Sequence, residues 1–286
     1  MGNDNIIENA ISGSTNRRSL FKKLAVAGAA LGAAQLPVNA QSPSAVDVVQ
    51  FALNLEYLEA EFYSIAVTGQ TLAHRGVPID GIGTPGPTTT AYGKVSFTNN
   101  IVFTAAVSKD IMDDETNHVL VLRGALAAHG VTPVAKPAIN LDALSSLGAS
   151  LQTEQTFLVL ARAFEDIGVS AYNGGAPFLS GTDYLQPAAR ILATEGEHVG
   201  NVRLQVARLG ISTAPLDGAD VLPPPSGSNF FSTNKSNGLT AYRTPGQVLF
   251  LAYGFQAGVN AGGFYPNGVN GNIRTSSAAA TAANLT

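Results

Sequence analysis

Glu115-Thr116-Asn117-His118-Val119-Leu120-Val121-Leu122-Arg123 and Glu195-Gly196-Glu197-His198-Val199-Gly200-Asn201-Val202-Arg203 decide the reading of this chain. Both run E-x-x-H-V-x-x-[apolar]-R. Residues three apart share one face of a helix, so a glutamate and a histidine at that spacing can converge on a single ion. At about 100° per residue, the face of Glu115 also carries Ile111, Met112, Val119, Leu122 and Leu126. The face of Glu195 carries Ile191, Leu192, Val199, Val202 and Val206. Both pairs therefore sit within an apolar stripe, whereas Glu197 falls opposite, near Arg190, Asn201 and Arg208, and reads as solvated. An unpaired carboxylate costs several kcal/mol, roughly, to bury. Two buried pairs call for a shared counter-ion, and a divalent metal supplies one.

Working outward, helix-period hydrophobicity predicts four long helices, at about 45–67, 99–129, 150–173 and 184–209. Ser44-x-x-Asp47 reads as a capping box for the first. A Gly/Pro/Thr-rich loop, 69–96, follows it. A connection with Pro133 and Pro137 separates the second helix from the third, and Gly174-Gly175 with Pro177 is expected to break the third. After Gly210 the chain turns rich in Gly, Asn, Pro and Ser, with one short helix expected at 247–255 and a frayed last dozen residues. The aromatic residues Phe230, Phe231, Tyr253, Phe255, Phe264 and Tyr265 are expected to dock this extension. The odd helices repeat as well. Glu56 precedes Tyr63 by seven residues and Glu165 precedes Tyr172 by seven, so each tyrosine lies on its glutamate's face. The chain reads as two copies of a helix pair, E-x6-Y followed by E-x-x-H, in an all-α four-helix bundle whose crossover follows the second helix.

Composition narrows the chemistry. The chain has 286 residues, 45% hydrophobic and 13% charged, with a net charge of −4. No basic excess exists to neutralise a phosphate backbone, which argues against nucleic acid as a partner. Cysteine is absent, so disulfides, thiolate zinc sites, iron–sulfur clusters and cysteine nucleophiles are all excluded. A metal here takes nitrogen and oxygen ligands from four histidines and nine glutamates. His74 falls in a loop and His129 at a helix end, where a cation suits the dipole; neither needs a metal. Glu61 reads as solvated and Glu154 as a helix-start carboxylate. Glu59 lies on the buried arc of the first helix, but its counterpart in the third is Gly168. Glu56 therefore ranks first as the ligand, and Glu59 stays open as a further one that would make the site asymmetric.

One Glu from each of two helices and Glu-x-x-His from each of the others resembles the di-metal carboxylate pattern of ferritin-like bundles. The stretches Asn54-Leu55-Glu56-Tyr57-Leu58-Glu59-Ala60-Glu61-Phe62-Tyr63 and Gly262-Gly263-Phe264-Tyr265-Pro266-Asn267-Gly268 resemble more specifically the ferritin-like family that includes the desiccation-related proteins. The resemblance implies a ferritin-like four-helix bundle at 41–211 and a loop-rich C-terminal extension, 212–286, packed on it. It implies a di-metal centre of iron or manganese, with zinc as an occupant after expression. Glu115 and Glu195 would bridge the ions or chelate one each, and His118 and His198 would give one nitrogen to each. Glu56 and Glu165 would be terminal carboxylates. Tyr63 and Tyr172 would orient them. The long, glycine-rich extension argues against a mineralising cage.

Residues 1–40 read as an address. Asn16-Arg17-Arg18-Ser19-Leu20-Phe21-Lys22-Lys23 precedes an apolar run at 24–36, which ends in Pro37-Val38-Asn39-Ala40-Gln41. This order looks like a twin-arginine signal peptide cleaved after Ala40. The apolar run is short for a membrane span of about 20 residues. The expectation is a protein exported to the periplasm or beyond, handled by the twin-arginine export machinery, with no stable span after cleavage and its oligomeric state open. Three functions compete: a redox enzyme of oxidase or peroxidase type acting in stress protection; a non-catalytic desiccation or stress protein with a structural or vestigial metal site; and, ranked third, a surface or envelope binding module using the loop 69–96 with the extension.

Overall fold

The computed structural model describes residues 42–97 and 101–286, without the side chains of 101–104. The expected signal segment, 1–40, and the expected helix start at 99 lie outside the described residues. Four long helices follow: α1 Ala45–Thr68, α2 Ile101–Ala128, α3 Glu154–Gly175 and α4 Leu185–Arg208. The first two pack along each other, as do the last two, and contacts of α2 with α4 and α1 with α3 close the bundle. The all-α expectation holds. Among the described residues the only strands are β1 Thr88–Thr89 and β2 Ile139–Asn140, a short parallel ladder. It ties the loop after α1 to the connection after α2. No helix among the described residues is long and apolar enough to cross a membrane.

Local chemistry sets the helix ends. The Asp47 amide donates to Ser44 Oγ at 3.1 Å and the Ser44 amide to Asp47 Oδ2 at 2.9 Å, the expected capping box. Thr153 caps α3 with Thr156, so that helix begins at Glu154 rather than 150. It also runs through Gly174 and Gly175 into a 3-10 turn, Ala176–Leu179, instead of breaking there. A Cβ on Gly174 would lie 1.8 Å from the Arg243 carbonyl oxygen, and one on Gly175 3.2 Å from Val48 Cγ1. These glycines let the extension and α1 approach the backbone of α3; they do not stop the helix.

α1 is buried almost all the way round, and here the sequence expectation fails for Glu61. Glu61 is fully buried, 3.6 Å from Lys136 Nζ, and accepts the Leu72 amide at 3.2 Å. Lys136 also donates to Gly86 O and Thr88 Oγ1, at 2.8 and 2.9 Å. The loop after α1 thus folds over the outer face that a four-helix bundle would leave wet. The extension covers the rest. Asn54 donates to Asn270 O at 2.9 Å and accepts the Asn270 amide at 3.0 Å, and Tyr265 Oη donates to Asn54 O at 2.8 Å.

Within the extension, α5 spans Pro245–Ala252, capped by Thr244. Tyr253, Phe264 and Tyr265 are buried as docking residues, but Phe230 and Phe231 are exposed, contrary to expectation. Their backbone carbonyls, not their rings, bind the bundle. The last dozen residues are not frayed either. Ala280 and Asn284 are buried, and Asn284 Nδ2 donates to Tyr242 O and Gln247 Oε1 at 2.9 and 3.0 Å.

Candidate metal centre

The six charged or ligating residues singled out by spacing meet inside the bundle. Two sets of side chains each bring one nitrogen or oxygen atom to within 4.8 Å of one another: Glu56, Glu115, His118 and Glu195, and Glu115, Glu165, Glu195 and His198. All are buried. His118 Nδ1 lies 3.3 Å from Glu56 Oε2, 3.5 Å from Glu115 Oε2 and 3.3 Å from Glu195 Oε1. His198 Nδ1 lies 3.1 Å from Glu115 Oε1 and 3.4 Å from Glu165 Oε2. Glu115 therefore turns one oxygen to each histidine, and Glu195 joins both sets. Glu56 and Glu165 each belong to one.

Whether these residues fit a pair of cations is tested by their hydrogen bonds. Glu56 Oε2, Glu165 Oε2, both oxygens of Glu115, both of Glu195, and Nδ1 of His118 and His198 are buried without a hydrogen-bond partner. Buried polar atoms are almost always paired, and here the unpaired ones are the atoms that face inward. Four carboxylates with two neutral imidazoles carry four negative charges, which two divalent ions cancel. The donor set and the charge both fit.

The tyrosines complete the frame, but crosswise. Tyr63 Oη on α1 donates to Glu165 Oε1 on α3, and Tyr172 Oη on α3 donates to Glu56 Oε1 on α1. Each tyrosine thus serves the other repeat's glutamate, not its own. Burial and the adjacent carboxylates hold both phenols well above their usual pKa, so they stay protonated and donate. With Oε1 occupied, each terminal carboxylate keeps Oε2 for the interior.

Residues 44–208 match the ferritin-like domain. The chain belongs to the ferritin-like domain family. It is also similar to "Ferritin-like catalase Nec2" of Nesocodon mauritianus, 25% identical over 283 residues, an alignment covering 83% of this chain and 87% of that protein.

Electrostatics in this ferritin-like centre follow from its crowding. Burial raises Glu56 to about 7 despite His118. Burial would raise Glu115 too, but His118 and His198 outweigh it and hold Glu115 well below the usual carboxylate range. Burial disfavours the charged imidazoles, yet Glu165 and Glu115 push His198 up to about 12, and Glu56 and Glu115 push His118 higher still. Burial, then Glu115, drives Glu195 well up. Neutrality here has to come from protons or from metal cations, so metal uptake displaces protons.

Three features escaped the sequence reading. Asp114 Oδ2 lies 3.1 Å from His198 Nε2 and fixes the tautomer that leaves Nδ1 free to ligate. The signal was the acid preceding Glu115. Thr194 stands at the matching place before Glu195, so His118 has no such partner from α4. Second, the arginines that end both motifs hold the residue after each terminal glutamate: Arg123 donates to Tyr57 Oη at 2.6 Å, and Arg203 to Asp166 Oδ2 at 2.8 Å.

Third, Gly168 is a mid-helix glycine, which costs about 1 kcal/mol relative to alanine. A Cβ there would lie 2.5 Å from Glu195 Oε2 and 3.4 Å from Glu59 Oε1. Gly168→Ala is therefore expected to leave the metal-free fold as stable or slightly more so, because a free Glu195 head can move. It should weaken metal binding by at least about tenfold, because a ligating head cannot. Thermal melts without metal and manganese titrations check the two halves. Unchanged affinity would show that Glu195 is not fixed by an ion.

Proposed function

We propose that this chain is an exported redox protein of the desiccation-related type, which holds two iron or manganese ions and disproportionates hydrogen peroxide in stress protection. The observation that carries the reading is the pair of four-atom sets sharing Glu115 and Glu195. The similarity to a protein named as a ferritin-like catalase supports the choice of peroxide. Held by these residues, two ions able to change charge by one each would supply two-electron chemistry, enough to turn two molecules of hydrogen peroxide into one of dioxygen and two of water. The chain's own residues do the rest. Glu115 and Glu195 offset the repulsion between two cations held close together. Tyr63 and Tyr172 fix the terminal carboxylates, and Asp114 fixes His198. A groove of about 420 Å3 between α2 and α4, lined by Asp114, Asn117, His118, Arg190 and Thr194, brings small polar molecules to the edge of the centre. Phe62, stacked on Phe157 and edge-on to Phe164, forms an apolar wall on the α1–α3 side.

The test uses chain recovered outside the cytoplasm, with Gln41 as the expected first residue, loaded separately with manganese, iron and zinc. Manganese- or iron-filled protein should release half a mole of dioxygen per mole of peroxide, and zinc-filled protein none. No turnover above that of the free ions, with both sites full by elemental analysis, would overturn the redox reading in favour of a structural metal.

A further inference from the structure

Glu59 belongs to neither four-atom set, yet it is a buried carboxylate beside them. It sits one turn after Glu56 on α1, is 6% exposed, and its Oε2 has no hydrogen-bond partner. Its surroundings supply none. Glu59 forms one wall of a small cavity whose other lining residues are apolar, among them Leu55, Phe164, Val248, Leu251 and Phe264. The cavity's volume is about 30 Å3, room for something the size of one or two waters and for no organic substrate. Glu59 Oε1 and Glu195 Oε2 crowd the same spot over Gly168, the position that matches Glu59 in the other half of the repeat. A carboxylate on α1 thus meets a missing side chain on α3, beside the head of Glu195, a shared ligand of the centre.

An unpaired buried carboxylate costs several kcal/mol, roughly; a proton offsets that cost in the metal-free chain, and the pair of cations would offset it in the loaded one. Resting on the di-metal reading above, we propose that Glu59 is a fifth carboxylate of the centre, which swings into the space over Gly168 to ligate one of the two ions and makes the ions unequal. The twofold repeat is otherwise nearly matched ligand for ligand, so this departure from it sets one ion's coordination apart. It also places that ion's extra ligand on the α1–α3 side, opposite the groove over His118.

The test compares wild type, Glu59→Gln and Glu59→Leu by manganese(II) titration calorimetry and by Mössbauer spectroscopy of iron-57-loaded protein. Both variants remove a buried carboxyl group whose Oε2 has no hydrogen-bond partner, so without metal they should melt at or above the wild-type temperature. Wild type should bind two ions. In both variants one ion should bind at least about tenfold more weakly while the other is unchanged, and one of the two iron signals should shift. Two dissociation constants and two iron signals equal to those of wild type would overturn the Glu59 proposal and leave the six-ligand centre standing. A wild-type chain that takes up no manganese or iron would overturn both.

Discussion

Glu115→Ala is expected to empty both metal positions at once, whereas Glu56→Ala empties or weakens one. The difference follows from geometry alone. Glu115 sends Oε2 towards His118 and Oε1 towards His198, at 3.5 and 3.1 Å, while Glu56 approaches only His118. Removing Glu115 takes one donor from each set of four and one negative charge from between two cations, so the repulsion between the ions rises as their coordination falls. Each effect costs on the order of tenfold to a hundredfold in affinity, and together they bring both ions below occupancy at micromolar metal. Elemental analysis after gel filtration should give two ions per wild-type chain, one for Glu56→Ala and none for Glu115→Ala. The metal-free variant should still fold. Alanine removes a buried carboxylate whose companions, His118 and His198, are then left with Glu56 and Glu165. Two retained ions in Glu115→Ala would refute its place between them.

The motif geometry was legible because it is periodic within single helices. Glu-x-x-His and the apolar stripe around it, at Ile111, Val119, Leu122, Ile191, Val199 and Val202, all come out buried where the 3.6-residue repeat puts them. Periodicity says which face is apolar; it says nothing about what lies across from it. For that reason the crosswise Tyr63–Glu165 and Tyr172–Glu56 bonds, which join residues more than a hundred apart, could not be read from spacing within one helix. The same limit explains Glu61. With its polar neighbours Asn54 and Ser64 it looks like part of a solvated face, until Lys136 pairs with Glu61, Asn270 with Asn54, and Gln70 O accepts from Ser64. The extension misleads by composition. It is expected to dock through its aromatic rings, yet its Asn residues also hold it, by hydrogen-bonding backbone that no regular element pairs. Asn270 Nδ2 alone holds Ala135 O and Thr84 O, at 2.8 and 3.0 Å.

The two motif arginines, alike in sequence, are expected to differ several-fold in their contribution to stability, and that contrast tests how the extension is held. Arg203 is fully buried. It donates to Asp166 Oδ2 at 2.8 Å, and to the carbonyls of Val221, Asn229 and Phe230 at 2.7, 2.9 and 3.0 Å. Arg203→Met keeps the length and apolar stem but strips one partner from a buried carboxylate and orphans carbonyls of the extension. Breaking one side of such a buried pair costs about 3–5 kcal/mol, a large share of a stability of about 5–15 kcal/mol. Asp166 keeps Arg162 Nε at 2.7 Å, and Arg162 also holds Asp220 of the extension, so the loss should fall towards the lower end. Arg123 stands at the matching place, but its acidic partner Asp80 is 87% exposed and Tyr57 Oη keeps a second contact, with Val134 O at 3.3 Å. Arg123→Met should therefore cost about 1 kcal/mol or less. Urea melts of the metal-free variants give both numbers. The lost bonds join the extension to α4, and α4 to α3, so amide exchange at 221–231 should speed up in Arg203→Met before exchange in α1 does. Equal midpoints for the two variants would mean that the extension is anchored elsewhere, through Arg243 and Ser170 Oγ at 2.8 Å or through Asn54 and Asn270.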